Sequence, residues 1–367
     1  MIDACDRCLR RAFLVAHLAP RIAGLLERPA RRVAGLLALS DEDFVAAAAG
    51  VGADSAWAFL DALDVEAERE ALEAAAVVTI CRHAGEFPTL LHQLDDPPAV
   101  LFGVGGLGAL QALHEEPAVA VVGTRRASPY GSEVAYALGR GLGAAGVPVV
   151  SGLALGIDGT AHRGCLDGAG LPLAVLACGP DVVYPRRHRR LYERIRAAGI
   201  VLSELPPGTR PFRWSFPARN RIMAGLASLT VVVEAAEPSG SLITAEFARD
   251  LGRAVAAVPG RITSSVARGT NGLLKDGAVP VTGTEDVLDE LFGVGVRRPP
   301  AVPADAKAPA DPHLRAVLEA ADRFGSVDAI ARELGRTAGE TRAALGRLEA
   351  EGYLVRRDLG GWEVAMS

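Results

Sequence analysis

Six short apolar segments recur between residues 119 and 260, and a helical stretch follows each of them. The segments are VAVVG (119–123), PVVSG (148–152), LAVLACG (173–179), IVLSE (200–204), LTVVVEA (229–235) and AVAAVPG (254–260). Strands that are apolar throughout are buried on both faces, and helices between them supply the crossovers of a parallel sheet. The pattern therefore predicts an α/β fold with helices on both faces of a parallel sheet.

The segments that flank this core differ from it in composition. Residues 1–75 alternate apolar and polar side chains at helical spacing, which predicts a small helical domain beside an α/β domain at 76–296. Residues 297–312 are rich in proline and alanine without a period, as linkers are. Residues 313–367 contain three helical segments and then two strands around a Gly-Gly pair at 360–361, which predicts a winged helix-turn-helix.

Charge is unevenly distributed along the chain, whose formal net charge is −5. Residues 119–225 contain 14 arginines against 6 acidic residues, a net of +8, so an anionic ligand is expected there. Residues 313–367 contain 8 arginines against 9 acidic residues. A segment of net −1 is poorly suited to reading duplex DNA, and it is expected to be a protein-contact or accessory module.

The N-terminal residues and the cysteines indicate a cytoplasmic protein without a disulfide framework. Acidic residues and arginines occupy the first residues, where a signal peptide needs an apolar stretch, and no apolar run reaches the roughly 18 residues of a membrane span. The cysteines are Cys5, Cys8, Cys81, Cys165 and Cys178. An odd, scattered set is expected to consist of reduced thiols. Cys5 and Cys8 form a CxxC, but no second pair or HxxxH follows, so no metal site is predicted.

Several nucleotide-binding and catalytic signatures are excluded. The glycine motif GVGGLG (103–108) is followed by only about six residues before Glu115, too few for the crossover helix of a dinucleotide-binding unit. Neither Lys275 nor Lys307 lies in a Gly-Lys-Ser/Thr sequence, which rules out a P-loop ATPase. GxSxG and HExxH are also missing from the sequence.

One pair of residues has the spacing of an acid and a base. Asp158 and His162 stand four residues apart at the start of a predicted helix. We expect Asp158 to cap this helix and His162 to pack beneath it, in preference to a catalytic pair.

The loops after the predicted strands carry arginines, small hydroxyl side chains and aromatic rings. Because the carboxyl ends of parallel strands share one edge of the sheet, these loops should converge there. They contribute Gly123, Thr124, Arg125, Arg126 and the N-cap Ser128; Arg186, Arg187, Arg189 and Arg190 around His188; Arg210, Arg213, Arg219 and Arg221 among Phe212, Trp214 and Phe216; and Ser239, Gly240, Ser241 and Thr244.

Guanidinium groups and helix N-termini suit phosphate, and exposed aromatic rings stack on bases, so the edge is interpreted as a groove for single-stranded nucleic acid. Alternatives remain for individual members. Phe212 and Trp214 could equally pack in the core, and Arg219 and Arg221 could equally pair with Glu234 or another acid.

Motifs along residues 119–290 resemble those of the DprA/Smf family of DNA-processing proteins. The matching stretches are VVGTRRAS with PYG, VVSGLALGIDGTAH, AVLACGPDVVYP, LSELPPG, FPARNRIMAGL, VVVEAAEPSGSLITAEFA, VPG and GTNGLLKDGA. The resemblance implies an extended Rossmann-like domain flanked by a SAM-like or helix-hairpin-helix-like N-terminal domain and a C-terminal winged helix. It also implies a homodimeric recombination mediator without catalytic activity or cofactor, which protects incoming single-stranded DNA and loads the RecA recombinase in natural transformation.

The resemblance also assigns roles to residues. Arg125 and Arg186 correspond to DNA contacts, whereas Arg249, Leu274 and Lys275 correspond to positions of dimer or recombinase contact. The full set predicted to bind single-stranded DNA or phosphate is Gly123, Thr124, Arg125, Arg126, Gly152, Arg186, Arg187, Arg189, Asn220, Arg221, Ser239, Gly240 and Ser241.

Two other functions stay open at this point. PSGSLITAE is similar to the PGGxGTxxE loop of lysine-decarboxylase-like phosphoribohydrolases, although Leu242 and Ile243 replace its second glycine and threonine. Release of a free base from a nucleoside monophosphate, lost in Glu246→Gln, would favour this nucleotide-processing enzyme. A base-specific duplex footprint would instead favour a transcriptional regulator that uses the predicted winged helix.

Overall fold

The computed structural model describes residues 4–25, 32–297, 311–324, 326–350, 353–356 and 362–364. Over the described chain, nine strands form one sheet in the order β1-β2-β6-β5-β4-β3-β7-β8-β9. The strands are β1 Val78–Cys81, β2 Val100–Gly105, β3 Val119–Val122, β4 Val149–Ser151, β5 Pro172–Val175, β6 Ile200–Ser203, β7 Leu229–Val232, β8 Ala254–Ala257 and β9 Val279–Pro280. All six strands predicted from the apolar segments are present and mutually parallel.

The sheet extends beyond the prediction at both edges. β1 and β2 pair with each other and β2 pairs with β6, all antiparallel, and β9 adds a short parallel strand beside β8. The GVGGLG motif ends β2 and leads into a helix of only 8 residues, Gly108–Glu115. Since β2 runs antiparallel to β6, this motif lies outside the parallel βαβ units that bind dinucleotides.

Helices cover both faces of the sheet. Those of residues 4–297 are α1 Asp6–Leu25, α2 Arg32–Leu37, α3 Asp41–Ala49, α4 Ala53–Ala62, α5 Val65–Ala74, α6 Gly108–Glu115, α7 Pro129–Ala144, α8 Ile157–Asp167, α9 Arg189–Ala198, α10 Ser215–Leu226, α11 Gly240–Asp250, α12 Arg268–Lys275 and α13 Thr284–Phe292. Val119 and Val121 of β3 pack with α7, α8 and α13, whereas Ala120 and Val122 pack with α6, α10, α11 and α12. Alternate residues of each strand thus enter opposite cores.

The N-terminal helices pack against the sheet layer. Leu9 of α1 shares a core with Phe102 of β2, and Leu14 and Ile22 share another with Trp214. Contacts group residues 1–299 into one compact unit, so the helices of 6–74 and the sheet are described together. None of the described helices is long and apolar enough to cross a membrane.

Residues 300–367 form a second compact unit. It contains α14 Pro312–Arg323, α15 Val327–Glu333, α16 Ala338–Ala350 and the antiparallel strands β10 Leu354–Arg356 and β11 Trp362–Val364. Val317, Ile330, Leu345 and Leu348 are buried among one another. Most of the predicted linker, residues 298–310, and the Gly-Gly pair at 360–361 lie outside the described residues.

Candidate nucleic-acid interface

A cavity of about 380 Å³ lies at the carboxyl edge of the sheet, between the loops that follow β3 and β7. The strand order reverses here, because β3 continues towards β4 on one side and neighbours β7 on the other. Open α/β sheets bind ligands at such a switch point. Its lining includes Gly123, Thr124, Arg125, Asp158, Phe216, Arg219, Asn220, Ser239, Gly240 and Ser241.

Glu234, at the end of β7, holds the loop after β3 in place. Its carboxylate accepts hydrogen bonds from the Ser128 hydroxyl at 2.6 Å and the Ser128 N–H at 2.9 Å, and its carbonyl accepts one from the Thr124 N–H at 2.7 Å. A Cβ at Gly123 would lie 2.9 Å from the Glu234 carbonyl oxygen, so a side chain at residue 123 would push the two loops apart. The carboxylate is occupied by this structural task and does not pair with an arginine of the cavity.

Two helices begin at the carboxyl edge of the sheet, and the start of α11 lines the cavity. Ser128 caps α7, where its hydroxyl accepts the Gly131 N–H at 3.0 Å, and Ser239 caps α11 by accepting the Ser241 N–H. The positive ends of both helix dipoles therefore point towards the same edge. That of α7 faces the Glu234 carboxylate, whereas that of α11 faces the cavity, where it suits an anion. Asn220 lies between them and donates its side-chain N–H to the Gly240 carbonyl at 3.0 Å. Asn220 thus supports the start of α11.

A row of contacts joins Arg125 to the arginines that follow β5. The Arg125 guanidinium lies over the Phe216 ring, 4.8 Å from its centroid, and the Phe216 ring lies 5.8 Å from that of Tyr184. Tyr184 is linked by a cis peptide bond to Pro185, directly before Arg186. Arg125, Tyr184 and Pro185 also line a smaller cavity of about 60 Å³. The structure therefore brings Arg125 and the start of the 186–190 segment to one rim.

The 186–190 segment presents cationic side chains to solvent at this rim. His188 is half-buried, and its Nδ1–H donates to the Leu153 carbonyl at 2.9 Å, which ties the segment to the loop after β4. The exposed arginines of the rim are Arg125, Arg126, Arg186, Arg187, Arg189 and Arg190. We define these six residues, with Phe216 and Tyr184, as the rim surface.

Arg219 supplies a buried positive charge beneath the cavity. Its Nη1 donates to the carbonyls of Gly152, at 2.8 Å, and Val175. Burial lowers the pKa of Arg219 to about 10 against the opposing effect of Asp158, so the guanidinium stays protonated at neutral pH. Gly152 packs directly against the Arg219 guanidinium. A Cβ at residue 152 would lie 2.0 Å from Nη1, so a glycine is needed there to leave room for the guanidinium.

Asp158 does not cap its helix as predicted. Gly156 occupies the N-cap of α8, and the Asp158 carboxylate accepts the Gly152 N–H at 3.2 Å. Burial raises the pKa of the Asp158 carboxyl, and Arg219 opposes this increase. The hydrogen bond between Gly152 and Asp158 therefore ties the loop after β4 to the first turn of α8.

The structure corrects the predicted role of Arg221 and decides the open alternative for Trp214. Arg221 is 1 % exposed, and its Nε donates to Asp96 at 2.8 Å while its other nitrogens bond Glu204. Arg221 points away from solvent because α10 turns this face towards the loops after β1 and β6, so the predicted DNA contact is wrong. Trp214 is also buried, with its indole N–H donating to Ala19 at 3.0 Å. Of the aromatic residues interleaved with arginines, Phe216 reaches the cavity.

The residues predicted for dimer or recombinase contact lie at the opposite edge of the sheet. α11 and α12 begin at the carboxyl edge and end at the amino edge, where Arg249 and the pair Leu274 and Lys275 stand near their C-termini. Arg249 approaches Asp276 at 4.0 Å, which places the two helix ends side by side. Arg249 and Lys275 are exposed. This surface is therefore separate from the rim surface.

His162 of α8 is buried, as expected, and makes a testable contribution to stability. It is 0 % exposed, and burial lowers the pKa of its imidazole to about 3. Between that value and the usual value of about 6.5, the unfolded chain binds a proton that the folded chain does not, so stability falls as the pH drops through this range. We expect His162 to cost about 2 kcal/mol of folding free energy between pH 6.5 and 4.5.

Urea unfolding midpoints of the wild type and of His162→Gln across that pH range measure this contribution. The wild type should lose stability more steeply on acidification than the variant. Parallel pH profiles in the two proteins would contradict a neutral, buried His162.

Some positions of the site had only weak sequence signals. Tyr184 is visible only as the residue before a proline, and its ring contact with Phe216 depends on the folding of two distant loops. Glu234 follows directly after the apolar run of β7. An acidic residue at the end of a strand was the sequence feature that could have indicated its role in holding the loop after β3. Cys81 and His83 lie far along the chain from the CxxC that they approach, and no spacing rule connects them.

The chain is similar to known proteins of one family. The family model described as DNA recombination-mediator protein A matches residues 78–292. A Mycobacterium tuberculosis relative that carries the name DNA processing protein DprA is 44% identical over 255 residues, which are 67% of this chain and 64% of the relative. The chain therefore matches a little under two thirds of that relative's length.

Two solved structures are also similar. The X-ray structure of DNA processing protein A from Streptococcus pneumoniae aligns with a TM-score of 0.62 and 33% identity, over 78% of this chain and 96% of that one. DNA processing protein A from Helicobacter pylori, described for its unique single-stranded DNA binding mode, aligns with a TM-score of 0.52 and 30% identity, over 59% and 95%. Because the family model covers more than half of the sequence and the sheet matches a solved member, this chain belongs to the DNA recombination-mediator protein A family, that of the DprA and Smf proteins.

Proposed function

We propose that this protein binds single-stranded DNA along the rim surface and delivers it to the RecA recombinase as a homodimeric mediator in natural transformation. The observation that carries the DNA-binding part is the row from Arg125 through Phe216 and Tyr184 to Arg186. Arginines pair with phosphates, and rings beside them stack on unpaired bases. The reported binding of single-stranded DNA by the Helicobacter pylori relative supports the same ligand.

A non-enzymatic role fits the chemistry of the cavity. Among the described residues that line it, the titratable side chains are Arg125, Arg219 and Asp158. Asp158 is buried and bonded to the Gly152 N–H, and Arg219 is bonded to two carbonyls, so neither is placed to activate a nucleophile. Glu246, which the phosphoribohydrolase alternative requires, is exposed on α11 and lies outside this lining. These features favour binding over hydrolysis.

The protein-contact part of the proposal is supported by the C-terminal unit and by the surface at the amino edge of the sheet. The three helices and two antiparallel strands of the C-terminal unit support its interpretation as a winged helix that serves as an accessory or protein-contact module. The exposed Arg249 and Lys275, beside Leu274, are proposed as dimer or recombinase contacts, because the DNA-binding rim at the opposite edge would stay open.

The test is the affinity of the full chain for a fluorescein-labelled single-stranded oligonucleotide and for the matching duplex, measured by anisotropy across a salt series. We expect tighter binding to the single strand. Each neutralised phosphate adds about −0.7 to the slope of log K against log salt, so the six rim arginines predict a slope of roughly −4 when each of them neutralises one phosphate. A preference for the duplex, or an affinity that does not change with salt, would contradict the proposal.

A further inference from the structure

Four metal-ligating side chains meet at the start of α1, and none of them belongs to the rim surface. Cys5 directly precedes α1, Cys8 lies in its first turn, Cys81 ends β1, and His83 follows two residues later. Their ligand atoms all lie within 4.8 Å of one another. The His83 Nδ1 lies 3.4 Å from the Cys5 Sγ and 3.3 Å from the Cys8 Sγ.

We propose that Cys5, Cys8, Cys81 and His83 hold a structural Zn²⁺ ion. Zinc binds cysteine sulfur at about 2.3 Å and histidine nitrogen at about 2.0 Å, so in a tetrahedral site sulfur and nitrogen lie about 3.5 Å apart and two sulfurs about 3.8 Å apart. The distances from His83 to the two sulfurs are close to that spacing. Three thiolates and one imidazole are a donor set of structural zinc sites, and four protein ligands leave no open position for catalysis.

The backbone holds these four groups in place independently of any ion. The N–H groups of Cys8 and Leu9 both donate to the Cys5 carbonyl at 3.0 Å, which forms the turn that directs the two CxxC sulfurs to one side. The Ala84 N–H donates to the Cys81 carbonyl at 2.9 Å, and this turn brings His83 next to Cys81. The site is thus two turns that face each other.

A contact between the two turns adds a second layer of support. The Ala4 N–H donates to the Thr79 hydroxyl at 3.3 Å, which aligns the start of α1 with β1. This hydrogen bond fixes the two ligand-bearing turns relative to each other.

A bound zinc ion would clamp the N-terminal helix to the edge strand of the sheet. Its ligands come from residues 5–8 and 81–83, so the ion would close the chain across α1 to α5. Cross-links that close long loops restrict the unfolded chain strongly. The inference is independent of the proposed DNA binding, because none of the four ligands belongs to the rim surface or to the cavity beside it.

The experiment is the zinc content, by plasma mass spectrometry, of the full untagged chain produced in zinc-containing medium and purified under reducing conditions. We expect about one zinc ion per chain in the wild type and less than about a tenth of that in Cys5→Ser and in His83→Ala. Both substituted residues are exposed, so folding should survive, as circular dichroism would verify. His83→Cys, which keeps four ligands, should retain zinc.

Two controls separate this site from adventitious binding. His114→Ala removes another exposed histidine, and Cys165→Ala removes a buried cysteine of α8; both should keep the wild-type zinc content. After chelation, Co²⁺ should restore the visible absorption of a tetrahedral, sulfur-rich site in the wild type but not in His83→Ala. A wild type without zinc, a zinc content unchanged in Cys5→Ser and His83→Ala, or a Cys5–Cys8 disulfide in the reduced preparation would overturn the proposal.

Discussion

Arg221→Met is expected to lower the free energy of unfolding by about 3 to 5 kcal/mol, the typical cost of removing one partner of a buried ion pair. The Arg221 side chain is 2 % exposed and bonds both Asp96 and Glu204. Its removal would leave two carboxylates without a cation inside the protein. Even with Arg221 present, burial raises the pKa of Asp96 to about 6. Without Arg221, little water would be available to stabilise the charged form of this carboxylate. Urea unfolding at pH 7 measures the loss.

The pH dependence of this loss gives a second measurement. A carboxyl with a raised pKa binds a proton in the folded state before it does so in the unfolded state, so its destabilising effect declines as the pH falls from about 7 towards 4. The difference between Arg221→Met and the wild type should therefore shrink on acidification. Arg186→Met, on the exposed rim, is the control and should change stability by less than about 0.5 kcal/mol.

This prediction also separates a structural Arg221 from a DNA-binding one. At a temperature where the variant is folded, Arg221→Met should bind single-stranded DNA as the wild type does. Weaker DNA binding without any loss of stability would restore the role that the sequence motif suggested.

The Arg125→Ala, Arg186→Ala double variant is expected to weaken single-stranded DNA binding about 100-fold at low salt. A hydrogen bond to a charged group contributes about 1.5 to 3 kcal/mol, so each arginine is worth roughly tenfold or more. Both guanidinium groups are exposed at the rim, so their removal leaves no buried charge and little effect on folding. The slope of log K against log salt should become less steep by about 1.4, which is 0.7 for each phosphate.

Arg196→Ala is the matched control for this variant. Arg196 is an exposed arginine on α9, the helix that begins within the rim segment, but it stands in the last turn, at the amino edge of the sheet. Its loss should leave both the affinity and the salt slope nearly unchanged. An equal effect of Arg196→Ala and the double variant would mean that net charge, and not the rim surface, governs binding.

Much of the central sheet could be predicted from short stretches of sequence. Unbroken apolar runs such as VAVV at 119–122, alternating with helical stretches, are typical of a parallel sheet covered on both faces, and the structure has them there. Ser128 followed by Pro129 predicted the start of α7 because a hydroxyl cap and a proline at the first helical position are local features. The antiparallel strands β1 and β2 were missed, since their pairing depends on β6, about a hundred residues away.

The sequence by itself determined which residues form the strands of the parallel sheet, and hence which loops share its carboxyl edge. Those features follow from neighbours along the chain, because burial periodicity and helix capping act over a few residues. Only the tertiary structure decided that Arg125 lies over Phe216, that Arg221 is buried with Asp96 and Glu204, and that a CxxC meets Cys81 and His83. The partners of a charged group or thiol are chosen by packing between distant segments, and Arg221 and Asp96 are 125 residues apart.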